Sequence, residues 1–347
     1  MESPRQEIII MKSDNLSAIA KIAGVSVSTA SRVLSGKAEK ARISKSTAEK
    51  VYSAASKLNY SPSILARSLN HERSKMIGLL LPTVSNPFFA EMASIIISEC
   101  RLRGYTIIMM DSAENENLFI KSISAMVSRN VDGIIAAPCG KEPVFLESIN
   151  RDFCPVILVD RIYEDCKLSY VTTDNYQGGC TATNILISAG HTNIACIQGE
   201  VNSMPNIERV RGFLDTITAA GLNTGARVIG NAFSSENGYW EVIKLLSEDN
   251  PPSALFTLSS TITLGAIRAA REKGLSIGKD ISIVSFDNNI NLSYFSPPIT
   301  MIGQPVEDMA VLSVKNLVSA IDGGQKSFSH LRLTPTVIQG ESVAIIR

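Results

Sequence analysis

Apolar and polar positions in the first sixty residues recur with the spacing of short helices. In Leu16–Ala23 the apolar residues fall on one side of a helix, and Gly24 favours a left-handed turn that ends it. A second helix is predicted to begin at Ser26, whose hydroxyl can cap it, and a third to span Ser46–Leu58. Two short helices joined by a tight turn are typical of a helix-turn-helix. A plain helical bundle would show the same pattern.

From Met76 onward the pattern changes to short apolar runs separated by amphipathic stretches. The predicted strands are Ile77–Pro82, Thr106–Asp111, Gly133–Pro138, Val156–Asp160, Tyr170–Thr173, Ile194–Gly199, Ala254–Leu258, Ile281–Phe286 and Thr300–Ile302, with a strand-like end at Leu331–Arg347. The predicted helices are Phe88–Arg103, Asn117–Asn130, Tyr176–Ala189, Glu208–Ala220, Glu236–Glu248, Ile262–Lys273 and Val306–Ile321. Buried parallel strands alternating with helices predict a doubly wound α/β fold, with enough chain for two sheets. Ligands of such folds bind beyond the carboxyl ends of the strands, where site residues are expected.

A short segment, Ser63–Leu69, separates these two regions. It has room for barely two helical turns, which is too short for a helix that is stable alone in water. Its apolar Ile64, Leu65 and Leu69 distinguish it from an ordinary linker. We therefore expect the segment to become ordered when it docks on a partner.

Charge is distributed unevenly along the chain although the net charge is zero. In residues 1–75, Lys and Arg outnumber Asp and Glu by 13 to 6, and the remaining residues carry the balancing acidic excess. A basic helical module on an acidic body is typical of nucleic-acid binding. The alternative is a lysine-rich surface that is merely solvated. That alternative gives no reason for the basic excess to coincide with a helix-turn-helix.

Composition and motifs argue against several other classes of protein. The six cysteines form no C-x-x-C pair, so we expect reduced, buried thiols and neither disulfides nor a zinc site. No apolar run is long enough to span a bilayer and the N-terminus lacks the features of a secretory signal, which predicts a cytoplasmic protein without a membrane partner. Phosphate-binding and nucleophile-elbow motifs are absent, and His71, His191 and His330 are far apart. We expect no enzyme, no cofactor and no metal.

Several motifs carry a resemblance to a known family. They are IAKIAGVSVSTASRVL, KLNYSPSILARSL, IGLLLPTVSNPFF, VDGIIAAP, VDR, ERVRGF, LGAIRAAREKGLSIGKDISIVSFDN and MIGQP. Over nearly its whole length the chain resembles the LacI/GalR family of bacterial transcription regulators, such as the lactose repressor. The resemblance implies an α/β protein with an N-terminal three-helix helix-turn-helix headpiece and a periplasmic-binding-protein-like core of two doubly wound α/β subdomains.

The resemblance also implies a domain division and a set of partners. The headpiece would be residues 1–62, the hinge 63–74 and the core 75–347. One core subdomain would comprise about 75–174 and 304–330, and the other about 175–303 and 331–347. A homodimer would read a pseudo-palindromic operator in double-stranded DNA, near the bacterial nucleoid, and a sugar-like effector would bind between the subdomains. A periplasmic-type sugar-binding protein without a DNA role is the alternative that the core alone would allow.

Family positions assign DNA contacts to the first two helices and to the hinge. The residues are Ser17, Ser26, Val27, Ser28, Thr29, Ser31, Arg32, Ala66 and Leu69. The hydroxyls of Ser17, Ser26, Thr29 and Ser31 would hold phosphates. Val27, Ser28 and Arg32 would face base edges, and Leu69 would enter the minor groove and kink the central step. For the small residues, close packing alone is the alternative. Ser35 stands where the family usually has asparagine, and the loop after it is longer than in the lactose repressor, which leaves the nearby phosphate contacts undefined.

Family positions likewise assign an effector site at strand ends. Its residues are Phe88, Phe89, Asp160, Arg161, Asp174, Arg209, Phe233, Ser259, Asp287 and Gln304. Carboxylates and guanidinium groups bind neighbouring hydroxyls and phenyl rings cover apolar sugar faces, whereas Asp160 and Asp174 could instead cap helices or form a salt bridge. Ser259 and Ser260 replace the usual Asn-Asp pair, so Ser259 keeps a cap but loses the amide. Arg161 together with Arg209 would favour an acidic or phosphorylated sugar.

Overall fold

The computed structural model describes residues 16–34, 38, 41–58, 73–140, 142–163, 166–222, 225–323 and 329–346. The chain divides into two compact units, Met1–Ser74 and Lys75–Arg347. Ser35 and the predicted hinge segment Ser63–Leu69, including Ala66, lie outside the described residues. Each unit has a core of its own.

The described residues of the N-terminal unit form three short helices. These are α1 (residues 16–23), α2 (Val27–Leu34) and α3 (Lys45–Lys57). Ile19, Val33 and Val51, one from each helix, are fully buried and form the centre of one small core. Gly24 has a φ of 66°, so the predicted left-handed turn between α1 and α2 is present. A hydrogen bond of 3.1 Å from the Tyr52 hydroxyl to the Val33 carbonyl ties α3 to the end of α2.

The second unit is built on two six-stranded sheets. Its strands are β1 (Met76–Leu81), β2 (Thr106–Asp111), β3 (Gly133–Ala136), β4 (Val156–Val159), β5 (Ser169–Thr173), β6 (Ile194–Ile197), β7 (Arg227–Ile229), β8 (Ala254–Thr257), β9 (Ser282–Phe286), β10 (Thr300–Gly303), β11 (His330–Leu333) and β12 (Thr336–Ile338). Its helices are α4 (Pro87–Leu102), α5 (Glu116–Val127), α6 (Val144–Asp152), α7 (Asn175–Ser188), α8 (Met204–Ala219), α9 (Ser235–Leu245), α10 (Ser260–Glu272), α11 (Ile290–Ser293) and α12 (Val306–Ile321). The strands and helices alternate as the sequence predicts.

Strand order confirms the doubly wound topology. The first sheet has the order β11-β5-β4-β3-β1-β2 with every pair parallel. The second has the order β12-β10-β9-β8-β6-β7, parallel except for β12 against β10. Helices cover both faces of each sheet, which is why the central strands consist almost entirely of buried apolar residues.

Three elements escaped the sequence analysis. Helix α6 has Pro143 at its N-cap position and therefore no side-chain cap, β7 has only three half-buried residues, and α11 is a single turn. Strand β11 also lies in the first sheet, beside β5. The third crossing between the two sheets therefore follows Leu333, slightly beyond the boundary expected near residue 330.

Two glycines allow α7 and α8 to pack with their backbones in contact. A Cβ on Gly179 would collide with the Arg209 carbonyl, and one on Gly212 would collide with the Tyr176 carbonyl. Only glycine permits such an approach without displacing a backbone. The contact fixes Arg209 at the sheet edge where the strands end.

Five of the six cysteines are buried, and all six are free. Burial raises the pKa of Cys100 and of Cys154 to about 11. Both therefore behave as small apolar core residues, as the sequence predicts. No helix in the described part of the chain is long and apolar enough to cross a membrane.

Candidate ligand cleft and nucleic-acid interface

The helix α2 begins with a cluster of hydroxyl groups. Ser26 caps the helix by accepting a hydrogen bond of 3.1 Å from the Thr29 amide. Its hydroxyl is also 2.9 Å from that of Ser28 and 2.8 Å from that of Thr29. The cluster places hydroxyl groups at the N-terminus of the helix, which is an arrangement that can bind a phosphate group.

The side chains predicted to contact DNA face solvent wherever the structure describes them. Exposed are Ser17, Ser26, Val27, Ser28, Ser31 and Arg32, and Thr29 is half-buried. Val27 is 46% exposed, so close packing does not account for an apolar residue at this position. Ala66 and Leu69 lie outside the described residues, and their roles remain predictions.

The two sheets of the second unit enclose a small chamber between their strand ends. Nine of the ten residues predicted for the effector site line it together with Asn86 and Pro205; the nine are Phe88, Phe89, Asp160, Arg161, Arg209, Phe233, Ser259, Asp287 and Gln304. The chamber encloses about 20 Å³, which is room for about one water molecule. Small-molecule sites measure several hundred Å³, so the chamber in this conformation is too small for a ligand of that size.

Asp160 is the most perturbed carboxylate in the chamber. It follows β4 with a φ of 63°, which is uncommon for a residue with a side chain. Asp160 is 4% exposed and its Oδ1 has no hydrogen-bond partner. Burial raises the pKa of Asp160 to about 6 against the opposing charges of Arg209 and Arg161. An unpaired buried acceptor at a strand end can receive a hydroxyl or amine donor from a ligand.

Arg161 already has a carboxylate partner. Its Nη1 and Nη2 donate to the two Glu114 oxygens at 2.5 and 2.7 Å. Burial alone would lower the pKa of Arg161, but the hydrogen bonds and charge of Glu114 outweigh burial and raise it. Sequence reasoning missed Glu114 because it lies in the loop after β2, far from Arg161 along the chain.

Arg209 is held inside the second subdomain. Its Nε donates to Asn175 Oδ1 at 2.8 Å and its Nη1 to the Leu258 carbonyl at 2.7 Å. The guanidinium also lies 3.7 Å from the Phe286 ring centre, within the range of a cation–π contact. Burial lowers the pKa of Arg209, although the charges of Asp287 and Asp160 oppose this.

A chain of hydrogen bonds joins the two subdomains across the chamber. Thr173 at the end of β5 donates to Gln304 Oε1 at 2.7 Å, and Gln304 Nε2 donates to Asp287 Oδ1 at 2.6 Å. The other Asp287 oxygen accepts from the Ser260 amide at 3.0 Å. Gln304 follows β10 where the chain crosses between sheets. It therefore responds to the position of either subdomain.

The remaining lining residues occupy helix starts and a loop. Ser259 caps α10 by accepting from the Ile262 amide at 3.2 Å, as expected. Phe88 and Phe89 open α4 and meet edge to face, with ring centres 5.1 Å apart. A Cβ on Gly199 would collide with the Phe233 ring, so this glycine provides the space that the ring occupies.

Asp174 does not line the chamber. Its carboxylate caps α7 by accepting a hydrogen bond of 2.9 Å from the Gln177 amide, and its own amide donates to the Leu333 carbonyl. The alternative interpretation, helix capping, thus describes Asp174. In the sequence, an aspartate just before a helix is compatible both with ligand binding and with helix capping. Only the geometry of its contacts distinguishes the two roles.

A larger cavity of about 770 Å³, the outer mouth, shares Arg161 with the chamber. Its described carboxylates come from both subdomains and are Glu114, Glu116, Glu142, Glu200 and Glu208. Glu208 pairs with Arg211 at 2.8 Å. The sequence offered no signal for this mouth, because its glutamates are scattered over loops and helix starts. In the described parts of the chain, no group of three or more His, Cys, Asp or Glu is arranged to hold a metal.

Comparisons with known proteins agree with this architecture. Residues 15–63 match the model for bacterial regulatory proteins of the lacI family, and residues 183–343 match the periplasmic binding protein-like domain. The HTH-type transcriptional repressor PurR of Erwinia tasmaniensis is 33% identical over 331 residues, which cover 94% of this chain and 96% of that protein.

Solved structures have the same fold. A LacI family transcriptional regulator from Enterococcus faecium with bound ribose is 26% identical with a TM-score of 0.72, covering 78% of this chain and 100% of that chain. The lac repressor dimer bound to operator and the anti-inducer ONPF has a TM-score of 0.82 at 23% identity, covering 94% of this chain and 98% of its own. At that identity the second likeness concerns the fold alone.

Proposed function

The chain belongs to the LacI family of bacterial transcriptional regulators, and we propose that it is a sequence-specific repressor controlled by a small effector in the cleft. One observation carries the proposal. Nine of the ten residues predicted for the effector site, from strand ends, helices and a loop, converge on one small chamber, in a chain whose N-terminal unit presents an exposed, hydroxyl-rich helix start. The chamber suits a closure that is driven by a ligand. The exposed helix start suits contacts with DNA phosphates and bases.

The effector that suits the chamber best is a sugar or a sugar derivative. Phe88, Phe89 and Phe233 offer aromatic faces for the apolar side of a sugar ring. Asp160 and Asp287 offer acceptors for its hydroxyl groups. The bound ribose of the Enterococcus faecium relative supports this class of ligand for our chain.

Coupling between cleft and DNA follows from the hydrogen bonds that cross the chamber. A ligand that bonds to Asp287 competes with Gln304, which also holds Thr173 of the other subdomain. The ligand thereby shifts the population between open and closed clefts. In a homodimer on a pseudo-palindromic operator, that shift changes the separation of the two hinges, so that the Ser63–Leu69 segments fold on DNA in one state and not in the other.

The proposal assigns no catalytic activity. The named relative is a repressor, and the lining residues include no serine or cysteine paired with a base. The protein would act in the cytoplasm, at its operator on the nucleoid. The absence of catalysis is tested by incubating the protein with the effector and looking for any conversion of the effector.

The function is tested by removing residues 1–72. We expect the shortened protein to keep effector binding, measured by calorimetry, and to lose operator binding, measured by fluorescence anisotropy. Operator binding by the shortened protein would contradict the domain division. Retained sugar binding by a full chain that never binds DNA would instead favour a sugar-binding protein. The same titration on the full chain with effector added gives the direction of the coupling.

A further inference from the structure

We propose that Glu114 makes this cleft selective for sugars without an acid group, with an added amine favoured and a phosphate or carboxylate rejected. The inference rests on the proposed function, because it concerns which sugars the effector cleft accepts. It replaces the expectation that Arg161 and Arg209 together favour an acidic or phosphorylated sugar.

The first support is the pairing of Arg161. Both terminal nitrogens donate to Glu114, at 2.5 and 2.7 Å, which is the bidentate geometry that a phosphate would otherwise use. The loop that carries Glu114 is itself fixed, since the Ala113 amide donates to Asp111 Oδ1 at 2.6 Å. Both Ala113 and Glu114 have positive φ values, 49° and 56°. A loop held in this conformation presents the carboxylate to Arg161 before any ligand arrives.

The second support is the position of Arg209. Its Nε and Nη1 donate to Asn175 and to the Leu258 carbonyl, and its face lies on Phe286. An anion that recruited these two nitrogens would leave buried acceptors without partners, which opposes binding. The two guanidinium groups that line the chamber are thus both engaged with the protein.

The third support is the supply of acceptors in the chamber and in the outer mouth beside it. Asp160 keeps an unpartnered Oδ1 in a side chain that is 4% exposed. Of the five glutamates among the described residues of the outer mouth, Glu114 is paired with Arg161 and Glu208 with Arg211, and the other three leave the mouth with an excess of negative charge. An excess of one sign of charge beside a binding site concentrates ligands of the opposite sign and repels those of the same sign. An amine can donate to Asp160, whereas a phosphate cannot.

The test uses full-length protein and three matched sets of sugars, each as the parent sugar, its amino-deoxy form and its phosphate. The sets are built on ribose, glucose and galactose, and binding is measured by calorimetry at pH 7.5. In any set that binds, we expect the amino form to be tightest and the phosphate at least tenfold weaker than the parent. A phosphate that binds as tightly as its parent overturns the selectivity but leaves the proposed function standing. If no member of any set binds, the sugar cleft itself is refuted.

A matched pair of variants isolates the role of Glu114. Glu114→Gln removes the charge opposite Arg161, and we expect phosphate affinity to rise on the order of tenfold while amine affinity falls. Glu307→Gln removes the same charge at an exposed position of α12 that lines neither the chamber nor the outer mouth, and we expect changes below about threefold. Equal effects of the two substitutions would show that general charge and not the Glu114 pair sets the selectivity. Thermal melting of both variants checks that each is folded.

Discussion

A single carboxylate, Asp160, illustrates what burial in the chamber does to one residue. Its pKa of about 6 lies above the value near 3.9 of an aspartate in an unfolded chain. Between these values the folded state keeps a proton that the unfolded state has lost. The contribution of Asp160 to stability is therefore most favourable at low pH and declines as pH rises through this interval.

We predict that Asp160→Asn stabilises the protein at pH 7.5 by about 2 kcal/mol, since it removes an ionised group that is buried with an unpaired oxygen. Asparagine also tolerates the left-handed backbone at this position. Denaturant unfolding at pH 4.5 and 7.5 measures the effect, which is expected to shrink at the lower pH.

Asp174→Asn is the control for this prediction. Asp174 caps α7, and asparagine caps about as well as aspartate, so the stability of this variant should stay close to wild type at both pH values. A loss of stability in Asp160→Asn at pH 7.5 would contradict the assigned pKa.

At the scale of elements, the contact between α7 and α8 is where backbones meet most closely. We predict that Gly179→Ala lowers the free energy of unfolding by about 2 kcal/mol, because the new Cβ meets the Arg209 carbonyl. Arg209 should move with its helix, so effector affinity should fall as well. Calorimetric binding and denaturant unfolding measure the two effects.

An exposed residue of the same helix provides the control. Gln177→Ala changes a residue of α7 that faces solvent and should leave both the stability and the affinity nearly unchanged. If Gly179→Ala behaved like Gln177→Ala, the close approach of the two helices would not be needed.

Elements with strong periodicity were predictable from the sequence, and elements held mainly by their neighbours were not. Helix α12 matched residue for residue because its apolar spacing is regular. Helix α8 begins at Met204, before the predicted Glu208, and has a proline in its first turn, where proline favours a helix start. Strand β7 has three half-buried residues and exists because β6 offers it an edge. Glu114 reaches Arg161 only through the tertiary fold, so no local pattern could have marked it.

At the scale of the whole molecule, a basic module and an acidic body are joined by a segment with an apolar Leu69. We predict that Leu69→Ala weakens operator binding at least tenfold, because the loss of an apolar wedge removes the kink that lets the protein contact more of the DNA. Effector affinity should not change, since the family positions assign Leu69 to the predicted hinge and not to the predicted effector site. Anisotropy titrations with operator and calorimetry with effector measure the two quantities.

Arg73 lies in the same basic region. The substitution Arg73→Ala tests whether charge near the hinge accounts for the loss of operator affinity. It should weaken operator binding uniformly across DNA sequences and reduce its salt dependence. Leu69→Ala should instead act mainly on the operator and leave non-specific binding intact. Unchanged operator affinity in Leu69→Ala would exclude the wedge.

The small volume of the chamber, about 20 Å³, also affects the rate at which a ligand can bind. A ligand cannot enter a closed cleft by collision, so opening must come first and its rate caps the rate of association. In stopped-flow mixing, the observed rate constant should level off as the sugar concentration rises, at a plateau that is the same for every sugar that binds. Trp240 is the one tryptophan of the chain and lines neither the chamber nor the outer mouth, so a dye attached beside the cleft is the better reporter for this experiment. The rate at which the protein opens, and not the identity of the sugar, would then set how quickly the regulator can respond.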